Sequence, residues 1–540
     1  MDISTPADST LQELQYLPPP AIASVCYFHD GVLYVDARHV ADADVLQWEM
    51  QLLRMKVLKR KQQCSAAKIQ SKTGHLEEGA PQTASRPVSL AGRELGVGMQ
   101  LVARGVEMKA SDLHFVFKGD VCDVKYRVDG FLDTYTSLPR DDAFRICSAL
   151  YVASGVKNSS GFSFQRPIAA RLGADSGLPP GLFACRFASI GTEGGGTVVL
   201  RLLYDAVANR SYVGNIQLKT LGFSDQQVAL LEDMASAPNG LIIIDGPTGS
   251  GKSTTLKYVL QWVNQTYPQF NILTVEDPPE YPITGAQQIP VLVQDDDMED
   301  PGARSRAYGN IITTTLRLDP DILMVGEIRD ATSALSALRA AITGHRLWTT
   351  LHANDAWEAV NRLIDLLREA GMIDPVPVLA NTQNLTGLMA QRLVPTLCPH
   401  CKRPLQDAVE TVPRQVMDEL LNAIEDFDPK TIFVRGDGCE HCVPFVKDSE
   451  ARKHDKRRGI IGRTVVAEIV RPDQGLLDVA REHGIPRARE YWMEHRGGKL
   501  LADQAIDKIR AGLLDPLVAR EFIGPLITAR QVLAQRRRDA

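Results

Sequence analysis

The segment GPTGSGKS, Gly246 to Ser253, follows the apolar run GLIIID and precedes the amphipathic pattern TTLKYVLQWVNQ. Strand, glycine-rich loop and helix in that order are the context a phosphate-binding P-loop requires. The glycines let the backbone curl, so that successive N–H groups and a helix N-terminus face the phosphates of a nucleotide. Gly246, Pro247, Thr248, Gly249, Ser250, Gly251, Lys252, Ser253 and Thr254 are the expected phosphate-binding set. Within it Lys252 reaches the β and γ phosphates of ATP, and the Ser253 hydroxyl is the expected Mg²⁺ ligand. A tight structural turn is the competing reading, and the complete pattern between a buried strand and an amphipathic helix sets it aside.

Downstream, short apolar strands alternate with helical stretches: NILTVEDP, DILMVGEI and LWTTLHAN each end in charged residues. Such alternation predicts an α/β domain, and in open α/β sheets ligands bind outside the carboxyl ends of the strands. Glu276, Asp277, Glu280, Glu327 and His352 are therefore expected to converge on the nucleotide. In TVEDPPEY, Pro278 and Pro279 stiffen the strand exit so that Glu280 projects back toward the γ phosphate, where it orients or activates water. Glu327, delivered by the strand ILMV, is placed to hold the Mg²⁺ water shell, although Gly326 stands where an Asp is common. The plainer readings are surface carboxylates capping a strand and, for Glu327, a salt bridge to Arg329 or Arg339.

A chain of 540 residues is too long for one core and should hold three or four domains. A small module is expected over residues 1–65, with a hairpin around Asp30-Gly31 and an amphipathic helix from ADADVLQ to the basic end KRKQQ. A flexible linker follows over 66–92, then an α+β domain with antiparallel strands over 93–205, a second linker over 206–218 and the ATPase domain over 219–395. Of nine cysteines, Cys398, Cys401, Cys439 and Cys442 form CPHC and CEHC, the spacing of two zinc knuckles. They predict a closed Cys₄ Zn²⁺ site in a module spanning 396–470, with His400 and His441 as the less favoured ligands, ahead of a helical C-terminal region over 471–540. The other cysteines are scattered, as in a reducing compartment.

GPTGSGKST, TVEDPPEY, LRLDPDILMVGEIRD and TGHRLWTTLHANDA occur in the order and spacing of the type II secretion and type IV pilus ATPases, and the chain resembles that superfamily. The resemblance implies a RecA-like P-loop ATPase domain preceded by a PAS-like N-terminal domain, to which KASDLHFVF and YRVDG are similar. It further implies that Glu280 is the catalytic glutamate, Glu327 the Walker B glutamate, and His345 and His352 a His-box pair that senses nucleotide. Arg186 in CRFASIG and Arg201 in VVLRLL match the arginines that reach across to the nucleotide, a role suited to the charge that builds on the equatorial oxygens. The tetracysteine module and GRTVVAE are typical of the pilus-assembly and type II secretion branch. The charged insertion VPFVKDSEARKHDKRRG is read as a solvated loop. The resemblance spans about residues 93–525, and the first 65 residues match poorly.

The implied activity is ATP hydrolysis by a homohexamer that acts on an inner-membrane platform protein, assembling a type IV pilus or, alternatively, driving type II secretion. A nucleotide-binding scaffold without turnover is the rival from another class. A net charge of −6 and the absence of interleaved basic and aromatic residues argue against nucleic acid as partner. With no apolar stretch of about 18 residues, the chain reads as cytoplasmic, and the resemblance implies a peripheral place at the inner membrane.

Overall fold

The computed structural model describes residues 26–29, 32–36, 45, 48–49, 52, 60–64, 90–155, 161–204, 215–291, 302–444 and 455–539. It divides into two units, Met1–Ser89 and Leu90–Ala540.

In the first unit β1 (Cys26–His29) and β2 (Val32–Asp36) pair antiparallel, the expected hairpin, whose Asp30-Gly31 turn lies outside the described residues. The expected basic end of the helix is instead β3 (Arg60–Cys64), which pairs in parallel with β2. Pairing along the edge of β2 satisfies its backbone, which outweighs the good helix propensity of Arg, Lys and Gln. Cys26, Leu33, Val35, Val45, Trp48 and Leu52 close a small core.

The second unit starts with helix α1 (Leu90–Glu107), so the expected linker ends at least three residues before 92; residues 66–89 lie outside the described set. Next come β4 (Asp112–Lys118), β5 (Val121–Val128), β6 (Phe131–Pro139), helix α2 (Arg140–Ala153), β7 (Ile168–Leu172), β8 (Leu182–Thr192) and β9 (Gly195–Tyr204). They form an antiparallel sheet in the order β6-β5-β4-β9-β8-β7. Successive strand residues point to opposite faces, so Leu113, Phe115 and Phe117 of β4 meet Val102 of α1 and Ile146 and Leu150 of α2 in one core. The other face, where the polar half of each strand points, is left for the site.

After α3 (Asn215–Leu221) and α4 (Asp225–Ser236), the latter opened by a capping box from Ser224 and Gln227, the ATPase sheet begins. Its elements are β10 (Gly240–Asp245), α5 (Lys252–Thr266), β11 (Ile272–Glu276), β12 (Ala286–Pro290), α6 (Ala303–Thr315), β13 (Ile322–Val325), α7 (Ala331–Ile342), β14 (Arg346–Leu351), α8 (Ala356–Glu369) and β15 (Leu385–Leu397). The expected second linker through 218 is cut short by α3. The sheet order is β12-β11-β13-β14-β10-β15-β18, parallel up to β15, with β18 (Ile460–Val470) antiparallel at the edge. β10 is buried throughout because both sheet faces are covered: Ile242 and Ile244 pack toward α4 and α5, and Leu241 and Ile243 toward α7 and α8.

Two expected boundaries change. The cysteine module is not a separate block over 396–470, since its last strand, β18, returns to complete the ATPase sheet beside β15. Between those strands lie β16 (Arg403–Pro404), α9 (Arg414–Ala423) and β17 (Phe433–Val434). The C-terminal region is not a tail either. Its helices are α10 (Gln474–His483), α11 (Ile485–His495), α12 (Leu501–Arg510), α13 (Pro516–Ile523) and α14 (Ala529–Asp539). α12 and α13 share a core with Leu405, Val416 and Leu420 of the module, and Leu476 and Trp492 of α10 and α11 join the core over α8. A module this small cannot bury its own apolar face and borrows one from each neighbour. In the charged insertion residues 445–454 lie outside the described set, while Lys456 beyond them donates to the Leu132 carbonyl at 3.2 Å. No described helix is long and apolar enough to cross a membrane.

Candidate nucleotide site

A cleft of about 990 Å³ lies between the polar face of the six-stranded antiparallel sheet and the carboxyl ends of the ATPase strands. Pro247 to Thr254 form its floor. Gly251, at φ 90°, is the N-cap of α5; no side chain caps this helix and no acid stands in its first turn. The first N–H groups of α5 therefore keep their capacity for an anion, the condition a phosphate cradle needs. Lys252 is 9% exposed and donates to the loop's own carbonyls, Gly246 O at 2.6 Å and Pro247 O at 3.2 Å. Burial lowers its ammonium to about 8, partly offset by Glu327 and Asp245. Ser253 is exposed to the cleft beside it.

Gln391, a polar residue inside the apolar run of β15, was not among the expected site residues. It is fully buried, donates to Ser250 O at 2.7 Å and accepts from Thr255 Oγ1 at 3.0 Å, tying the loop to the helix that follows. Its signal in the sequence is the amide itself, since a buried strand tolerates a polar side chain only where a partner exists.

Glu280 and Arg186 meet across the cleft: Arg186 Nη1 donates to Glu280 Oε1 at 2.9 Å, and Nη2 to the carbonyls of Asp277 and Pro278 at 3.3 Å. Arg201 also lines the cleft and donates through Nε to Asp112 Oδ1 at 3.0 Å. Glu327 accepts from Arg329 Nε at 2.9 Å, the salt bridge of its plainer reading, and its other oxygen lies 3.2 Å from His352 Nε2. The backbone before it is fixed by Gly326 N donating to Val275 O at 2.8 Å and by Thr350 Oγ1 donating to Gly326 O at 2.7 Å. A Cβ at Gly326 would come within 3.3 Å of Val275 O, which gives a steric reason for glycine where an Asp was expected.

Two further acids serve the frame of the site. Glu276 accepts from Thr274 Oγ1 at 2.7 Å and Gln288 Nε2 at 2.8 Å, and burial raises its carboxyl. Asp277 accepts from Arg304 Nε at 2.7 Å. Arg127, Arg304, Arg392 and Arg463 also line the cleft and were not expected as site residues, because isolated arginines carry no local signature; Arg329, expected only as a salt-bridge partner of Glu327, lines it too.

His345 is the expected site residue that the fold does not bring to the cleft. It precedes β14, its carbonyl accepting from Gly240 N at the opposite sheet edge, while His352 follows the same strand. The six residues of β14 lie between them, seven steps along the chain that set the two residues roughly 20 Å apart. His345 Nδ1 instead lies 3.1 Å from Thr343 Oγ1 and 3.2 Å from Ala340 O, and helps close the end of α7.

A second candidate centre lies in the cysteine module. The Sγ atoms of Cys398, Cys401, Cys439 and Cys442 all lie within 4.8 Å of one another, with Cys398–Cys439 at 3.7 Å and Cys401–Cys442 and Cys439–Cys442 at 3.8 Å. Tetrahedral thiolates at a Zn–S distance of about 2.3 Å stand about 3.8 Å apart, so the donor set fits Zn²⁺. His400 and His441 stack on each other with centroids 3.8 Å apart, and His441 Nδ1 lies 3.9 Å from Cys439 Sγ.

Residues 95–522 match the family described as Type II/IV secretion system protein. The Type II secretion system ATPase E of Vibrio cholerae is 31% identical over 76% of this chain and 72% of its own length. The Type IV pilus assembly ATPase PilB of Acinetobacter baylyi is 32% identical over 71% of this chain and 58% of its own length. Among solved structures, the ATPase DotB of Yersinia pseudotuberculosis superposes with a TM-score of 0.51 at 19% identity, over 83% of this chain and 96% of that one.

Proposed function

We propose, from the premise that this chain belongs to the type II/IV secretion system protein family and is an ATP hydrolase, that it is the hexameric cytoplasmic motor of type IV pilus assembly. It acts on an inner-membrane platform protein and so drives the polymerisation of pilin-like subunits. The observation that carries the reading is the convergence of the P-loop, Glu280, Glu327, His352, Arg186 and Arg201 on one cleft. Type II secretion is the second reading, favoured by the relative of that name that aligns over most of this chain.

In the proposed chemistry the phosphates of ATP take the first-turn N–H groups of α5, and Lys252 exchanges the loop carbonyls for phosphate oxygens. Ser253 would hold Mg²⁺, which when bound neutralises charge on the β and γ oxygens. Glu280, released from Arg186, accepts the proton of the attacking water, and Arg186 and Arg201 face the charge that develops on the equatorial oxygens. Glu327 and His352 orient the water network on the strand-end side. The four cysteines would hold a structural Zn²⁺ with no open coordination position. His345, at the far sheet edge, takes no part.

The test is nucleotide binding and turnover by the purified chain. Lys252→Ala is expected to lose both, whereas Glu280→Gln keeps binding and loses turnover. Equal loss of affinity in the two variants would refute this division of roles. A strain lacking the chain then separates the two biological readings, by loss of surface pili or by retention of exported proteins in the periplasm.

A further inference from the structure

Strand register in the six-stranded antiparallel sheet lines up charges that the sequence scatters over 89 positions, from Asp112 and Arg127 to Arg171, Arg186 and Arg201. Asp112 stands directly opposite Arg127 on one side and Arg201 on the other; Arg201 stands opposite Arg186, and Arg186 opposite Arg171. Their chain neighbours Leu113, Leu200, Leu202, Cys185 and Phe187 are core residues, so alternation puts these five side chains in one row on the opposite face. Arg127, Asp112, Arg201 and Arg186 line the cleft.

Adjacent strands are about 4.8 Å apart, and like charges directly opposite repel. The row holds four guanidiniums and one carboxylate, so the place of that carboxylate decides which arginine is held and how. Asp112 is 7% exposed in its side chain, against 38% for Arg127 and for Arg201. One oxygen accepts from Arg201 Nε at 3.0 Å; the other accepts from Ser111 Oγ at 2.8 Å and lies 3.9 Å from Arg127 Nε. Arg201 is therefore gripped at Nε, which leaves its terminal nitrogens unspent on the grip, whereas Arg186 commits both of its own to Glu280 and two carbonyls.

We infer that Asp112 is a positioning residue for ATP hydrolysis, fixing Arg201 by Nε so that its terminal nitrogens face the phosphates, and balancing the neighbouring charge of Arg127. The inference rests on the reading of Arg201 as phosphate-facing, and the experiment separates the two. ATP turnover is measured for the full chain, for Asp112→Asn, for Arg201→Ala and for the double variant. Arg201→Ala is expected to lower kcat by about 10³-fold or more. Asp112→Asn is expected to lower kcat roughly ten- to a hundredfold with little change in KM, and to add nothing once Arg201 is gone. Asp112→Glu keeps the buried charge but displaces it by a methylene; it is expected to lower kcat only while Arg201 is present, and it serves if Asp112→Asn does not fold. Losses that multiply in the double variant, or full activity in Asp112→Asn, would overturn the positioning role while leaving Arg201 in place. A silent Arg201→Ala would overturn the reading of Arg201 and the inference with it.

Discussion

Lys252 and Asp245 bracket the phosphate loop, and burial moves both toward neutrality. The Lys252 ammonium falls to about 8 and the Asp245 carboxyl rises to about 8. Phosphate binding favours the charged lysine, so binding above this pH takes up a proton. ATP affinity is then expected to fall by up to about tenfold per pH unit above 8, seen as Kd values measured from pH 7 to 9.5. Ionisation of Asp245 adds negative charge beneath the phosphates and acts in the same direction, so Asp245→Asn should make the fall shallower. A Kd independent of pH over this range would contradict both shifts.

Asp245 also bears on stability. Both carboxylate oxygens are buried without a hydrogen-bond partner among the described residues, as is Oε1 of Glu468, whose carboxyl burial also raises to about 8. In register the two acids flank Ala390 on adjacent strands. The folded chain keeps the Asp245 proton up to about 8, whereas the unfolded chain releases it near its ordinary value of 3.8. Between those values the folded state binds the extra proton, so stability falls as pH rises, by about 1.4 kcal/mol per pH unit at most. Asp245→Asn, neutral in both states, is expected to melt above the parent chain, by a margin that widens from pH 5 to pH 8. Parallel melting curves would show that Asp245 is ionised in the fold.

At the scale of elements, β14 shows how a strand sorts two histidines that look alike in sequence. His352 leaves the strand at the cleft and meets Glu327, while His345 enters it beside the N-terminal edge. His352→Ala is expected to lower kcat at least tenfold with Tm nearly unchanged, since a group in the cleft acts on the reacting phosphates. His345→Ala should leave kcat within twofold and lower stability by about 1 kcal/mol, the worth of a lost hydrogen bond at a helix end. The reverse ranking in turnover would return His345 to the site.

At the scale of the whole molecule, the cysteine module is joined to the ATPase sheet by both of its ends. It leaves along β15, which carries Gln391 under the phosphate loop, and returns along β18. Loss of the four-sulfur centre should therefore loosen the sheet edge as well as the module. Cys398→Ser is expected to bind less zinc by elemental analysis and to lower the single melting transition of the ATPase unit, because metal binding energy is folding energy for so small a module. A separate low-temperature transition with an unchanged main one would show that the module folds alone.

The P-loop and its strand and helix, the acids at the strand ends, the His352 position and the paired cysteines were legible in the sequence. Each is a local pattern: an apolar run, a glycine spacing or a CxxC pair fixes its own backbone over a few residues. Local pattern says less where pairing supplies the energy. RKQQC becomes β3 because an edge was waiting for it, and β18 joins the ATPase sheet across 62 intervening residues, from Leu397 to Ile460, that read as another domain. Gln391 and the Asp112–arginine row belong to the same class. They depend on which residues of distant strands stand opposite one another, and register is set by burial of the sheet faces, not by neighbours in the chain.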